Sequence, residues 1–446
     1  MKYIPNTDNE KKGMLKEIGV SSFNELIKDI PENIRLKRAL SIPGPFDEEE
    51  IKERVYLIAG KNVNFFSFKP LIGAGAYRHY IPEVIKAIVS REEFYTSYTP
   101  YQPEISQGNL QSMFELQTHL AKLTGMDVVV PSLYDGASAV AEAVLMAVRI
   151  THKNRIIVSS LVHPHYREVI TTYTEPHDIE IIELPFDKGC TDFSDLKNQL
   201  NANTAAVVVQ SPNFFGGIEN IAAIASEIHD TGALLIHSIA ESISLGLLTA
   251  PADMGVDIVA GESQSFGMDL NFGGPYNGYL ATKTRFLRQL PGRIAGETVD
   301  KNGKRAFVMT MRAREQDIRR EKATSNICSN HALNIVAANV YLSLLGKNGL
   351  YQVALLNTKA AHYLKRKFAE TNNFEVFEYP FFNEFVVKSK IDISEVKNRL
   401  SRKSFIPPLR VDRFYKKCEN YLLFTVTEIF KREELDKIIE ILGVSR

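Results

Sequence analysis

From about residue 105 the chain alternates short, near-continuous Val/Ile/Leu runs with amphipathic stretches, and this alternation limits the fold more than any other feature. The runs Val128–Val130, Arg155–Ser159, Ile179–Leu184, Ala205–Gln210, Ala233–His237, Asp257–Ala260 and Gly278–Thr282 read as strands. Between them Ala137–Ile150, Tyr166–Tyr173, Phe193–Leu200 and Ile218–Asp230 read as helices, preceded by one at Asn109–Leu123 that stops at Gly125. Strands that are apolar along their whole length must be buried on both faces, which is the condition of a parallel sheet covered by helices. The expected fold class is therefore α/β.

Either side of this region the pattern changes. Residues 1–65 predict short helices at Ser22–Asp29 and Phe46–Ala59, an arm too small for its own core. Residues 66–330 form the large α/β domain. Residues 331–446 predict a small α+β domain, with helices at Ala332–Leu345, Ile393–Leu400 and Arg432–Leu442 and strands at Glu375–Tyr379, Glu384–Lys388 and Tyr421–Val426.

In open α/β sheets ligands sit beyond the carboxyl ends of the strands, so chemistry is sought there. After the first strand, Gly136, Ala137 and Ser138 open a helix whose free N–H groups suit a phosphate, although Asp135 or Ser138 also suits a plain N-cap. His163 ends the second strand, where an imidazole can stack on a flat ring, and Asn213 follows the fourth. After the fifth strand, a cofactor with a pyridinium nitrogen needs an acid, and the chain has Ser238. The stretch GESQSFGMDLNFGGPYNG, Gly261–Gly278, has the form of a cofactor-binding turn, yet no lysine lies between Val256 and Thr282. Tyr95, Tyr98 and Tyr101 recur at intervals of three in a loop held by prolines, which read as the lining of a site or a partner contact. Arg312, Arg314, Arg319 and Arg320 alternate with acids as on a solvated helix face, and the small polar run containing Thr324, Ser325 and Asn326 suggests a close contact.

Composition excludes several classes. The 53 basic and 53 acidic side chains give no net charge, which argues against nucleic acid or an anionic membrane as partner. Cys190, Cys328 and Cys418 are odd in number and far apart, which predicts reduced thiols in a cytoplasmic setting and no metal centre. No apolar run approaches a membrane span, and the polar N-terminus predicts no signal peptide.

The stretches LIGAGAYRHYIPEVI, FYTSYTPYQPEISQGNLQ, YDGASAVAEA, PGRIAGETVDKNGK and REQDIRREKATSNIC resemble the glycine cleavage system P-protein, glycine decarboxylase, across nearly the whole chain. At this length the chain is similar to the N-terminal-half, or alpha, subunit of the split form. The resemblance implies the fold-type I, aminotransferase-like architecture of pyridoxal-phosphate enzymes, with a large mostly parallel-sheet domain and a small C-terminal domain. It implies a C-terminal-half (beta) partner in an α2β2 heterotetramer, glycine as substrate, and transfer of the aminomethyl group to the lipoyl arm of the H-protein. Aligned on Gly273-Gly274-Pro275, Gln264 stands where the catalytic half carries its Schiff-base lysine, and Ser238 stands where the family's pyridinium aspartate belongs. An amide cannot serve as that nucleophile. The resemblance thus implies pyridoxal phosphate on the partner, no catalytic residue on this chain, and a vestigial pocket at Gly136, Ala137, Ser138, His163 and Asn213. A self-sufficient pyridoxal-phosphate lyase or transferase, and a scaffold on a degenerate fold, are the competing readings.

Overall fold

The computed structural model describes residues 6–64, 67–327 and 331–443; Cys328 lies outside them. It divides into two units, Met1–Val63 and Asn64–Arg446.

In the first unit, helices Asp8–Ile18 and Glu48–Ala59 are each closed at the start by a capping box, Thr7 with Glu10 and Asp47 with Glu50. Among the described residues of this unit no side chain is buried, and Ile18, Phe23, Tyr56 and Leu57 are each at least 60% exposed. Local capping specifies these helices, and no core of their own does.

The second unit is built on seven strands: β1 (Val128–Leu133), β2 (Arg155–Ser159), β3 (Glu180–Leu184), β4 (Thr204–Gln210), β5 (Leu234–Ile239), β6 (Ile258–Glu262) and β7 (Gly278–Thr282). Their order is β1-β7-β6-β5-β4-β2-β3. The pairs from β6 through β5, β4 and β2 to β3 are parallel, whereas β7 runs antiparallel to both β1 and β6. The predicted α/β class with a mostly parallel sheet is borne out. Successive residues of β4 point into different cores: Val207 and Val209 join one cluster, Ala206 and Val208 the other. A strand buried on both faces needs both sets apolar, which is why these runs show no alternation.

A second, antiparallel sheet joins Phe374–Val376, Glu384–Ser389, Tyr421–Thr425 and Leu409–Arg410. Phe368, Phe385 and Phe424 form the centre of its core. The helical stretch Ala332–Ala369 breaks at Gly346, whose φ of 57° a helix cannot contain, so the predicted stop near Leu345 marks a true break.

Other local expectations differ from the structure. Phe193–Leu200 yields only the single turn Leu196–Gln199. Glu92–Tyr95 does form a helical turn, ahead of the prolines that bar its continuation. The hairpin Ile294–Val299 and Arg305–Thr310 was not anticipated. The arginine-rich stretch is not one helix face: it is broken into Arg312–Arg314, Gln316–Arg319 and Arg320–Lys322, with Arg320 at φ 53°.

Candidate functional site

The ends of β1, β2, β5 and β6 bring together most of the residues that the sequence marks as candidates. Directly after β1, helix Gly136–Thr151 starts with a capping box. Asp135 Oδ1 accepts from Ser138 N at 2.7 Å and from Ser138 Oγ at 2.7 Å, so Ser138 presents no free donor and the N-cap reading holds. Gly136 N donates at 2.9 Å to Oε2 of Glu262, the last residue of β6. Oε1 of the same carboxyl accepts from Gln264 N at 2.9 Å and Asn277 N at 3.0 Å. Three backbone N–H groups thus enclose an internal carboxylate at a helix N-terminus, the place where this fold would seat a phosphate. Burial, the largest influence, outweighs these donors and pushes the Glu262 carboxyl up to about 7. A Cβ on residue 136 would meet the Tyr166 hydroxyl and lie 3.0 Å from Glu262 Cβ, so the space above the helix start is filled. Ala137 is buried in the same first turn.

Gln264 is 2% exposed. Its Nε2 donates to Tyr77 O at 3.0 Å and Met268 O at 2.8 Å, and its Oε1 accepts from Tyr77 N at 2.9 Å. Both ends of the amide are committed to backbone, with Tyr77 using its donor and its acceptor at once, which requires an amide's paired chemistry. The segment around Tyr77 also closes over His163. The ring's Nδ1 accepts from His165 N at 3.2 Å, so Nε2 carries the proton and donates to Ala74 O at 2.8 Å. Burial pushes this imidazole down to about 4 and keeps it neutral. Gly75, at φ 96°, lies so close that a Cβ there would stand 2.9 Å from the ring's Cδ2 and Nε2. Ring contacts with Phe214 and Tyr166, at centroid distances of 5.0 and 4.8 Å, complete the surround.

The other two positions carry no charge to offer. Ser238 is fully buried in β5 opposite Gln210 and Ala260, and its hydroxyl has no hydrogen-bond partner among the described residues. Asn213 serves its own loop: Nδ2 donates to Gly189 O at 2.9 Å and Glu219 Oε1 at 2.7 Å, while Oδ1 accepts from Phe215 N and Gly217 N. With the helix start taken by Glu262, the His163 ring met by Gly75, and an amide and a hydroxyl where lysine and aspartate would be needed, these residues do not fit pyridoxal phosphate. Lys283 is no substitute. It pairs with Asp257 Oδ1 at 3.2 Å, at the opposite end of β6 from Glu262.

Sequence reading missed the groups that fasten the closing segment. His79 is 5% exposed and bridges Glu241 Oε2 through Nε2 and Glu428 Oε2 through Nδ1, both at 2.9 Å. Burial alone would push this imidazole down, but Glu428 and Glu241 outweigh it and raise it to about 10. Glu384, in the second sheet, accepts from Ala74 N at 2.8 Å, from the Tyr77 hydroxyl at 2.8 Å and from Thr425 Oγ1 at 2.6 Å. Burial raises this carboxyl to about 7. The signal available was the density of polar residues in GAGAYRHY, unusual for a stretch between apolar neighbours.

The aromatic loop lies apart from these groups. Tyr95 and Tyr98 are 70% and 72% exposed, and Tyr101 is 40% exposed. A cleft of about 540 Å³ is lined by Ser97, Tyr98, Thr99 and Tyr101 among others. The Tyr101 hydroxyl accepts from Arg293 Nη2 at 2.8 Å, and Arg293 pairs with Glu315 at 3.0 Å. Ser325 Oγ donates to Glu142 Oε1 at 2.6 Å, Thr324 N donates to Arg314 O, and Asn326 is exposed.

Comparison with known proteins establishes the family of the chain. Residues 1–442 match the family model of the glycine cleavage system P-protein. The chain is 44% identical over 442 residues to a probable glycine dehydrogenase (decarboxylating) subunit 1 of Anoxybacillus flavithermus, covering 99% of this chain and 98% of that one. It is 47% identical over 443 residues to the protein of the same name from Bacillus thuringiensis subsp. konkukian, covering 99% of each. Among solved structures, a glycine decarboxylase (P-protein) of the glycine cleavage system in inhibitor-bound form superposes with a TM-score of 0.89 at 40% identity, over 99% of both chains. Glutamate decarboxylase of Lactobacillus brevis, at 12% identity, TM-score 0.68, and 92% and 95% coverage, shares the fold alone, that of fold-type I pyridoxal-phosphate enzymes. The chain belongs to the glycine cleavage system P-protein family.

Proposed function

We propose that this chain is the non-catalytic subunit 1 of glycine dehydrogenase (decarboxylating), active only when joined to a C-terminal-half subunit that carries the lysine and pyridoxal phosphate. In that assembly, an α2β2 heterotetramer in the cytoplasm, glycine is decarboxylated and its aminomethyl group passes to the lipoyl H-protein. The reading is supported by Gln264, locked by three hydrogen bonds where the resemblance would put the lysine, within a chain akin to subunit 1 proteins over its full length. What this chain contributes is shape. Its own carboxylate and backbone complete its core, and its exposed elements are available to wall the partner's site. Lys283, at the far end of the sheet, counts against a self-sufficient lyase. The exposed apolar arm of residues 6–63 counts in favour of an obligate partner.

Glycine–bicarbonate exchange, assayed with each subunit alone and with both mixed, tests this. Activity is expected only in the mixture, and exchange by this chain alone would overturn the reading. Tyr95 and Tyr98 are proposed to line the partner's site, with Thr324, Ser325 and Asn326 beside it. Tyr95→Ala is therefore expected to lower exchange by the mixture about tenfold or more through lost positioning, with the melting temperature unchanged. Tyr101→Phe, which removes the acceptor of Arg293, is expected instead to cost about 1–2 kcal/mol of stability. Thermal melts beside the exchange assay separate the two classes.

A further inference from the structure

A cavity of about 230 Å³ lies between the hairpin Phe186–Thr191 and the antiparallel sheet, and no step of the proposed function uses it. Its wall is made by five aromatic rings: Phe186, Phe215, Phe377, Tyr379 and Tyr421. Phe186 meets Phe215 edge to face at 5.1 Å, and Phe377 lies 5.2 Å from Tyr421. The Tyr379 hydroxyl is already engaged, donating to Phe215 O at 3.0 Å and accepting from Val386 N at 2.9 Å. Tyr379 therefore offers the cavity ring carbon and no hydrogen bond. Phe186, Phe377 and Tyr421 are only half-buried, although each already has aromatic neighbours.

The charge at the opening is one-sided. Lys188 and Lys417 both line the cavity and are exposed, against one acid, Asp187. Lys417 Nζ sits 3.9 Å from the Phe186 ring centroid. Lys188 is held at its place by backbone geometry. It has a φ of 43°, and the next residue, Gly189 at φ 94°, packs so tightly on Tyr379 that a Cβ would come within 2.6 Å of the ring.

We propose that this cavity is a binding site for a small planar aromatic anion, its ring between the aromatic side chains and its charge between Lys188 and Lys417. Flat apolar walls select a ring, since offset and edge-on contacts add to burial. Two ammonium groups at the rim, against one carboxylate, leave a net positive charge that selects an anion. The volume falls below the roughly 300–1,000 Å³ of drug-sized sites, so the ligand has one ring or two fused ones.

The full chain contains no tryptophan, so the fluorescence of an indole probe can be read without background. Titration with indole-3-acetate is expected to saturate with a Kd of about 1 mM or tighter, and neutral indole is expected to bind about tenfold more weakly. The double variant Lys188→Gln/Lys417→Gln is expected to weaken indole-3-acetate about tenfold while the chain stays folded, because both lysines are on the surface and only the Lys417 contact with the Phe186 ring is lost. Absence of saturation, equal affinity for indole and its carboxylate, or equal binding by the double variant would each overturn the proposal.

Discussion

A Gln264→Lys variant is expected to form no borohydride-trapped bond with pyridoxal phosphate, and to lose about 2–4 kcal/mol of stability. The residue that would restore the nucleophile meets a site already occupied. Tyr77 N would lose its acceptor, because an ammonium accepts nothing. The new cation would be buried at a position 2% exposed, facing the carbonyls of Tyr77 and Met268. Glu262, the nearest carboxylate in sequence, is tied to three backbone N–H groups and holds the helix start that a phosphate would require. Mass spectrometry after borohydride treatment, beside urea unfolding of the variant, checks both parts. A trapped adduct on residue 264 would show that the pocket opens on demand and that Glu262 does not keep the cofactor out.

His79→Gln is expected to destabilise the chain by about 3–5 kcal/mol near pH 7, because it leaves Glu241 and Glu428 buried without the cation between them. The pH dependence has a definite sign. The folded chain keeps the His79 proton up to about pH 10, whereas an unfolded histidine releases it near its ordinary 6.5. That contribution is complete below 6.5 and vanishes as the pH rises toward 10. Glu262 and Glu384, raised by burial to about 7, change protonation lower on the scale. Cys190, pushed up by burial to about 11, also costs stability between about pH 7.5 and about pH 10, so the difference between the urea midpoints of the wild-type chain and His79→Gln across that interval reports the histidine. The wild-type chain should fall steeply across that interval and His79→Gln much less. Parallel declines would mean that the imidazole is neutral in the folded chain.

The sheet was readable because its strands are buried on both faces, so their apolar runs stand out against the helices between them. The antiparallel setting of β7 was not readable, since direction leaves no mark on a strand five residues long. An amide at Gln264 and a hydroxyl at Ser238 were visible in the sequence as groups unable to act as the lysine and aspartate that the resemblance calls for. What fills the site in their place was not visible. Glu262 reaches Gly136 across 126 positions, and Gln264 reaches Tyr77 across 187. Such pairings are set by topology, and nothing local in either stretch announces them. Asn213 was ambiguous in the sequence: a polar residue after a strand is as useful to its own turn as to a ligand, and here both ends of its amide are turned inward.

The carboxylate of Glu262 also has a consequence for supply. A protein whose core is completed by a bound ligand gains stability in proportion to the logarithm of that ligand's concentration, and loses it when the ligand runs short. This chain carries the group that fills that place covalently, at fixed stoichiometry. Its folding is thereby insulated from the cell's vitamin B6 status. On the proposed function, a partner that holds the cofactor would lack this insulation, and under scarcity this half would persist, ready to receive it.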